Sequence, residues 1–158
     1  MSVLEGTPSA SGKRFLIVVA RFNRWITERL AEGAKLELLR LGARESDIDT
    51  AWVPGSFEIP AAARGGAKSG RYAAIVCLGA VIKGETSHDE HIAGACATGI
   101  QAVSVETGVS MGFGVITAPS FDLASARARL DGGRNMGTDA ARAVVEMSSL
   151  LDKISRGK

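Results

Sequence analysis

The run Ala73-Ala-Ile-Val-Cys-Leu-Gly-Ala-Val-Ile-Lys83 is apolar up to its last residue and rich in β-branched side chains. A strand of that composition has no wet face, so it belongs inside a parallel sheet that helices cover on both sides. Directly after it comes Gly84-Glu-Thr-Ser-His-Asp-Glu-His91. Ser87 with Glu90 three residues later has the form of a capping box, which predicts a helix from about Ser87 to Thr107. The N–H groups at such a start lack helical partners and carry the positive end of the helix dipole. Thr86 and Ser87 are therefore placed to hold a phosphate without a lysine, with His88 beside it as a proton donor.

Strand and helix patterns alternate along the rest of the chain with little between them. Phe15–Ala20 reads as a first strand. Trp25 to Leu41 keeps Ile26, Leu30, Ala34 and Leu38 at helical spacing until Gly42, and Ile48–Val53 forms a second strand ahead of Pro54-Gly55. Phe57 to Lys68 is a short helix, Ala73 to Ile82 the third strand and Gly112 to Thr117 the fourth. Asp122 to Leu130 and Thr138 to Ile154 are the last two helices, with Ser155 to Lys158 a frayed tail. The expected architecture is α/β: a three-layer α/β/α sandwich around a four-stranded parallel sheet.

At 158 residues and 46% hydrophobic content, one domain with one core is sufficient. Nineteen basic and 17 acidic residues are mixed along the chain without a block of one sign, which argues against a nucleic-acid partner. No apolar stretch approaches the ~18 residues of a membrane span, and the first twelve residues are not a cleavable signal, so the expected location is the cytoplasm. Cys77 and Cys96 lack a CxxC or secretory context and read as small core residues.

Ligands of open parallel sheets bind beyond the carboxyl ends of the strands. Arg21-Phe22-Asn23 follows the first strand, where an aromatic ring is available for stacking. Val53-Pro-Gly-Ser-Phe-Glu-Ile-Pro60 follows the second and presents Ser56 and Glu58. Phe113 lies on the fourth strand, and Arg127 beyond it is a fork-shaped cation suited to phosphate. Each has a plainer role available: Phe22 and Phe113 as core, Glu58 as a solvated helix residue, Arg127 as an exposed charge like Arg129. His88 and His91, with Asp89 and Glu90, lack an evident third ligand, so no metal site is assigned. Neither a phosphate-loop nor a dinucleotide fingerprint is present.

Five segments in order resemble the lumazine synthase family: Ala20-Arg-Phe-Asn23, VPGSFEIP from Val53, LGAVIKGETSHDEH from Leu78, GFGVIT from Gly112, and Arg127 with Gly133-Arg-Asn-Met-Gly137. The resemblance covers nearly the whole chain. It implies a flavodoxin-like sheet in a single domain spanning 1–158, with residues 1–12 flexible or paired with a neighbouring subunit. It also implies a cytoplasmic transferase of riboflavin biosynthesis that condenses 5-amino-6-(D-ribitylamino)uracil with 3,4-dihydroxy-2-butanone 4-phosphate, without cofactor or metal. By the family's pattern Phe22 stacks on the pyrimidine, while Ser56, Phe57 and Glu58 hold the ribityl chain. The backbone of Ala80, Val81 and Ile82 reads the uracil edge, Glu85 and Thr86 face the phosphate, and His88 transfers protons. Phe113 and Arg127 are expected from the neighbouring subunit.

The implied partners are the two small-molecule substrates, further copies of the chain, and riboflavin synthase; neither nucleic acid nor a membrane is implied. Three departures from the common pattern stand out. Ser110-Met111-Gly112 replaces the usual Pro-Val and its neighbour before Phe113. Met136 occupies a position that often holds lysine, with Arg134 as a replacement cation. The turn Leu130 to Gly137 is one residue longer than in shell-forming members and resembles that of pentameric ones, which points to a homopentamer, with a sixty-subunit icosahedral capsid as the alternative. A flavin- or lumazine-binding module would keep Phe22 and Glu58 without needing His88 or Arg127, and a shell or carrier would need only subunit contacts. The presence of both residues favours catalysis.

Overall fold

The structure, a computed structural model, describes residues 1–157. Four strands, β1 (Phe15–Ala20), β2 (Ile48–Val53), β3 (Ala74–Ile82) and β4 (Ser110–Ala118), form one parallel sheet in the order β2-β1-β3-β4. Helices α1 (Arg24–Arg40), α2 (Ile59–Lys68), α3 (His88–Thr107), α4 (Phe121–Ser125) and α5 (Met136–Arg156) complete the fold. The two faces of the sheet follow from side-chain alternation along β1. Phe15, Ile17 and Val19 pack with Ile26, Leu30 and Leu38 of α1 and Val144 and Val145 of α5. Leu16, Val18 and Ala20 pack with Ile59 and Ala63 of α2 and Cys96, Ile100 and Val103 of α3. These are the three layers expected of strands that are apolar on both faces. Both cysteines lie in the α2/α3 core, where burial raises their thiols, Cys96 to about 11, so neither is a thiolate at neutral pH.

Several boundaries differ from the sequence reading. The proposed helix from Asp122 to Leu130 is α4 alone, ending at Ser125. Backbone bonds from Arg129 N to Arg134 O (3.1 Å) and from Met136 N to Arg127 O (2.9 Å) fold the following residues back on themselves. Asn135 fixes that turn: its Oδ1 accepts from Gly137 N and Thr138 N, capping α5, while Nδ2 donates to Arg29 O and Arg129 O. The cap starts α5 two residues before Thr138. At its other end α5 runs through Ser155 to Arg156, and Gly157 closes it in the left-handed region (φ 63°). Lys158, the end of the expected tail, lies outside the described residues. Part of the segment expected to be flexible or paired with a neighbour packs in cis: Thr7 N donates to Ser149 Oγ and Ala10 is fully buried.

Glu37 of α1 is 5% exposed and shared by two guanidinium groups. Arg40 donates to both of its oxygens (2.8 and 2.7 Å), and Arg142 Nε of α5 donates to Oε1 (3.0 Å). The Arg40 bonds, with those from Arg142, hold this carboxyl below its ordinary value of 4.5 despite the opposing effect of burial. A lowered folded pKa gives stabilisation that is complete above the unfolded value and is lost as the pH falls through the folded one. Replacing Glu37 with Gln is expected to lose about 1–3 kcal/mol at neutral pH. Denaturation midpoints should show that loss at pH 7 and a narrowing gap from the wild type below about pH 4; an equal gap at both would mean that ionisation is not its source.

Candidate active site

β1 pairs with β3 only as far as Val19 opposite Leu78, whereas β3 continues to Ile82 paired, among the described residues, with β4 alone. The sheet therefore opens at its carboxyl edge where the strand order reverses, the place where doubly wound sheets hold ligands. A cavity of about 520 Å³ lies there, lined by Phe22, Pro54, Gly55, Ser56, Phe57, Glu58, Ala80, Val81, Ile82, Gly84, Thr86, His88, Asp89 and Ile92.

Two aromatic rings border it with much of their surface exposed, Phe22 at 72% and Phe57 at 59%. The core role available to Phe22 is thus excluded: the chain presents this ring to solvent. Backbone bonds from Arg21 N to Val53 O (2.7 Å) and from Phe22 N to Pro54 O (3.1 Å) continue the β1–β2 ladder past the strand ends and fix the base of the ring. Ser56 to Glu58 form a single 3₁₀ turn ahead of α2, so the helix expected from Phe57 begins at Ile59. That turn buries Ser56 and leaves Phe57 and Glu58 exposed beside the cavity. A Cβ on Gly55 would stand 3.2 Å from Glu58 Oε2, so glycine gives the carboxylate room against the turn.

Gly79 has a similar role from beneath, because a Cβ there would collide with Ser56 Oγ. Gly79→Ala should push Ser56 toward the cavity, cost about 1–3 kcal/mol of stability through overpacking, and weaken ligand binding. A thermal midpoint and a ligand titration both equal to wild type would show that the turn absorbs the methyl group.

At the start of α3 the expected capping box does not form. Ser87 is the N-cap residue but has φ −79° and ψ 10° and makes no side-chain cap bond. Its conformation lies away from the extended region in which a capping hydroxyl reaches the helix N–H groups. Thr86 acts in its place, Oγ1 accepting from His88 N at 3.3 Å. His88 is exposed on the first turn, and Ile92, one turn later, lines the same cavity. Asp89 lines it as well, with its Oδ1 buried and without a hydrogen-bond donor among the described residues.

Glu85, Phe113 and Arg127 do not line this cavity. Glu85 is exposed on the loop ahead of α3. Phe113 points from β4 into a separate groove of about 670 Å³, beside Ala97, Ile100 and Gln101 of α3 and Met111 of its own strand. Being 44% exposed, it too is excluded from the core. Arg127 Nη1 donates to Leu123 O (2.9 Å) in the turn after α4. Arg129, its rival, is held by both oxygens of Asp131 at 2.9 and 2.8 Å. Met136 packs against the α1/α5 core, and Arg134 lies exposed with Nε 3.8 Å from Asp139 Oδ2.

The model of the 6,7-dimethyl-8-ribityllumazine synthase family matches residues 12–152. The chain belongs to that family. The match takes in all four strands and every residue around the cavity. Membership also accords with a four-stranded parallel sheet inside helical layers. Among the described residues no helix is long and apolar enough to cross a membrane, and no group of three or more His, Cys, Asp or Glu is placed to hold a metal ion.

Sequence reasoning assigned no role to Asn23, Asp89 and Ile92. The latter two had a legible signal, since residues one and four places after His88 reach the same end of the helix. Asn23 had a weaker one: asparagine tolerates the left-handed conformation needed where a strand turns directly into a helix.

Proposed function

We propose that the chain is a 6,7-dimethyl-8-ribityllumazine synthase that condenses 5-amino-6-(D-ribitylamino)uracil with 3,4-dihydroxy-2-butanone 4-phosphate, releasing phosphate and two molecules of water. The observation that carries this reading is the convergence of Phe22, Ser56 to Glu58, Ala80 to Ile82, Thr86 and His88 on one cavity in a member of this family. The exposed Phe22 ring stacks on the pyrimidine, the backbone of Ala80 to Ile82 reads its edge, and Ser56, Phe57 and Glu58 take the ribityl chain. Thr86, Glu85 and the first turn of α3 face the phosphate.

The substrate amine attacks the ketone, and the carbinolamine loses water to give an imine. Elimination of phosphate and ring closure with loss of a second water complete the product. Each step moves a proton, and an unperturbed imidazole titrates near pH ~6.5, so a histidine donates and accepts at neutral pH. His88 takes that role. Holding two substrates in register supplies much of the remaining acceleration. Purified protein mixed with the two substrates should produce lumazine absorbance and fluorescence well above the uncatalysed background. No product, with tight binding of lumazine or riboflavin, would reassign the chain as a binding module.

The active assembly we propose is a homopentamer in which Phe113 and Arg127 of one copy complete the cavity of the next. The placement of both residues away from the cavity of their own chain supports this. Arg127, free of the carboxylate that grips Arg129, is the better phosphate ligand of the two. Light scattering should give a mass near five times the 16.4 kDa chain; a mass near sixty chains would refute the pentamer.

A further inference from the structure

Asn23 is the only residue other than glycine with positive φ among the described residues (φ 59°, ψ 45°). It stands between β1 and α1, next to Phe22, and its Nδ2 donates to the Ala80 carbonyl at 2.7 Å. That bond crosses the gap left where β1 stops pairing with β3, since the ladder ends at Leu78 and Ala80 lies two residues beyond it. On its other side the loop is fixed by Phe22 N donating to Pro54 O. The segment carrying the Phe22 ring is thus clamped from β2 by a backbone bond and from β3 by a side-chain amide.

We infer that Asn23 is a positioning residue that sets the width of the cleft between the Phe22 ring and the β3 backbone, and through it the affinity for the planar pyrimidine substrate. Three features require asparagine there. The left-handed backbone is strained for most side chains and tolerated by asparagine. The short amide spans from that conformation to the neighbouring strand. A neutral donor meets the carbonyl, whereas aspartate would set a carboxylate against the carbonyl oxygen. The ligand assignment in this inference rests on the proposed lumazine synthase activity; the strut itself does not.

Two variants separate the strut from the strain. Asn23→Gly keeps the left-handed conformation without penalty and removes the amide, while Asn23→Asp keeps the shape and removes the donor. Losing one well-made hydrogen bond is expected to raise KM for the ribitylaminouracil about tenfold in Asn23→Gly, with kcat and KM for the butanone phosphate within about twofold of wild type. Asn23→Asp should behave alike or worse. An unchanged KM for the pyrimidine in either variant overturns the inference, as does an equal loss for both substrates accompanied by a fall in melting temperature, which would mark a purely structural bond. Hydrogen exchange across residues 80–86 of the unliganded protein tests the strut independently of turnover. It should accelerate in Asn23→Gly, and unchanged exchange overturns the inference whether or not the wild type makes lumazine.

Discussion

His88→Ala should lower kcat by about 100- to 10,000-fold, the range typical of a lost general acid–base group, while leaving a measurable residual rate. The residue is exposed on the first turn of α3, and its side chain makes no hydrogen bond among the described residues; the turn is pinned through the His88 backbone N–H on Thr86. Its loss therefore removes chemistry with little effect on the fold. On the proposed function, residual activity is expected because Phe22, the 56–58 turn and the end of β3, all intact in the variant, would still align the substrates. Full turnover in a folded variant would take His88 out of the mechanism and shift attention to Asp89, the other titratable group on the same wall of the cavity.

The second large effect concerns where a complete site comes from. Arg127→Ala should raise KM for the phosphorylated substrate by about 10- to 100-fold, as expected for a lost charged hydrogen bond. Combining the two lesions is more informative than either alone. If Arg127 serves the cavity of another copy, co-expression of His88→Ala with Arg127→Ala chains yields assemblies in which some sites draw an intact His88 from one chain and an intact Arg127 from its neighbour. With equal expression and random assembly, about a quarter of the sites carry both, and activity at low butanone phosphate recovers toward that fraction. Were both residues to serve the site of a single chain, each site would keep one lesion and the mixture would be no faster than the average of its parts. That second outcome would remove the shared-site proposal.

The strands were the most legible part of the fold. Phe15–Ala20 falls where an apolar, β-branched run puts it, because a strand buried on both faces leaves an unbroken hydrophobic signal. The edge strand Ile48–Val53, by contrast, carries Asp49 and Thr50, is mostly half-buried, and was delimited by the Pro54-Gly55 turn that follows it. The boundaries that failed turned on the backbone course of the loops beside them. The helix expected to reach Leu130 stops at Ser125 because Asn135 and its backbone neighbours capture the intervening residues, and periodicity over Ala126 to Arg129 carries no trace of that competition. The capping box failed for a related reason: its two residues are present, yet the loop from β3 delivers Ser87 in the wrong backbone conformation. Around the cavity, loops directly after strands were readable from strand ends alone. The Asn23 amide was not, since its partner lies 57 positions away in sequence and is a backbone carbonyl, which carries no signature in residue type.

The overhang of β3 beyond its pairing with β1 has a consequence for selectivity. From Gly79 onward β3 has lost β1 as its ladder partner; the Asn23 amide takes the Ala80 carbonyl, and the cavity occupies the rest of the space beyond the end of β1. On the proposed function, a flat heterocycle with amide-like donors and acceptors in a line would take that space as a surrogate for a short piece of strand, with Phe22 as its cover. Recognition by a sheet edge depends on the order of donors and acceptors rather than on charge, so salt should barely affect binding of the pyrimidine while weakening that of the phosphate ester. Ring analogues with one edge group reversed would then bind as poorly as a strand in the wrong register.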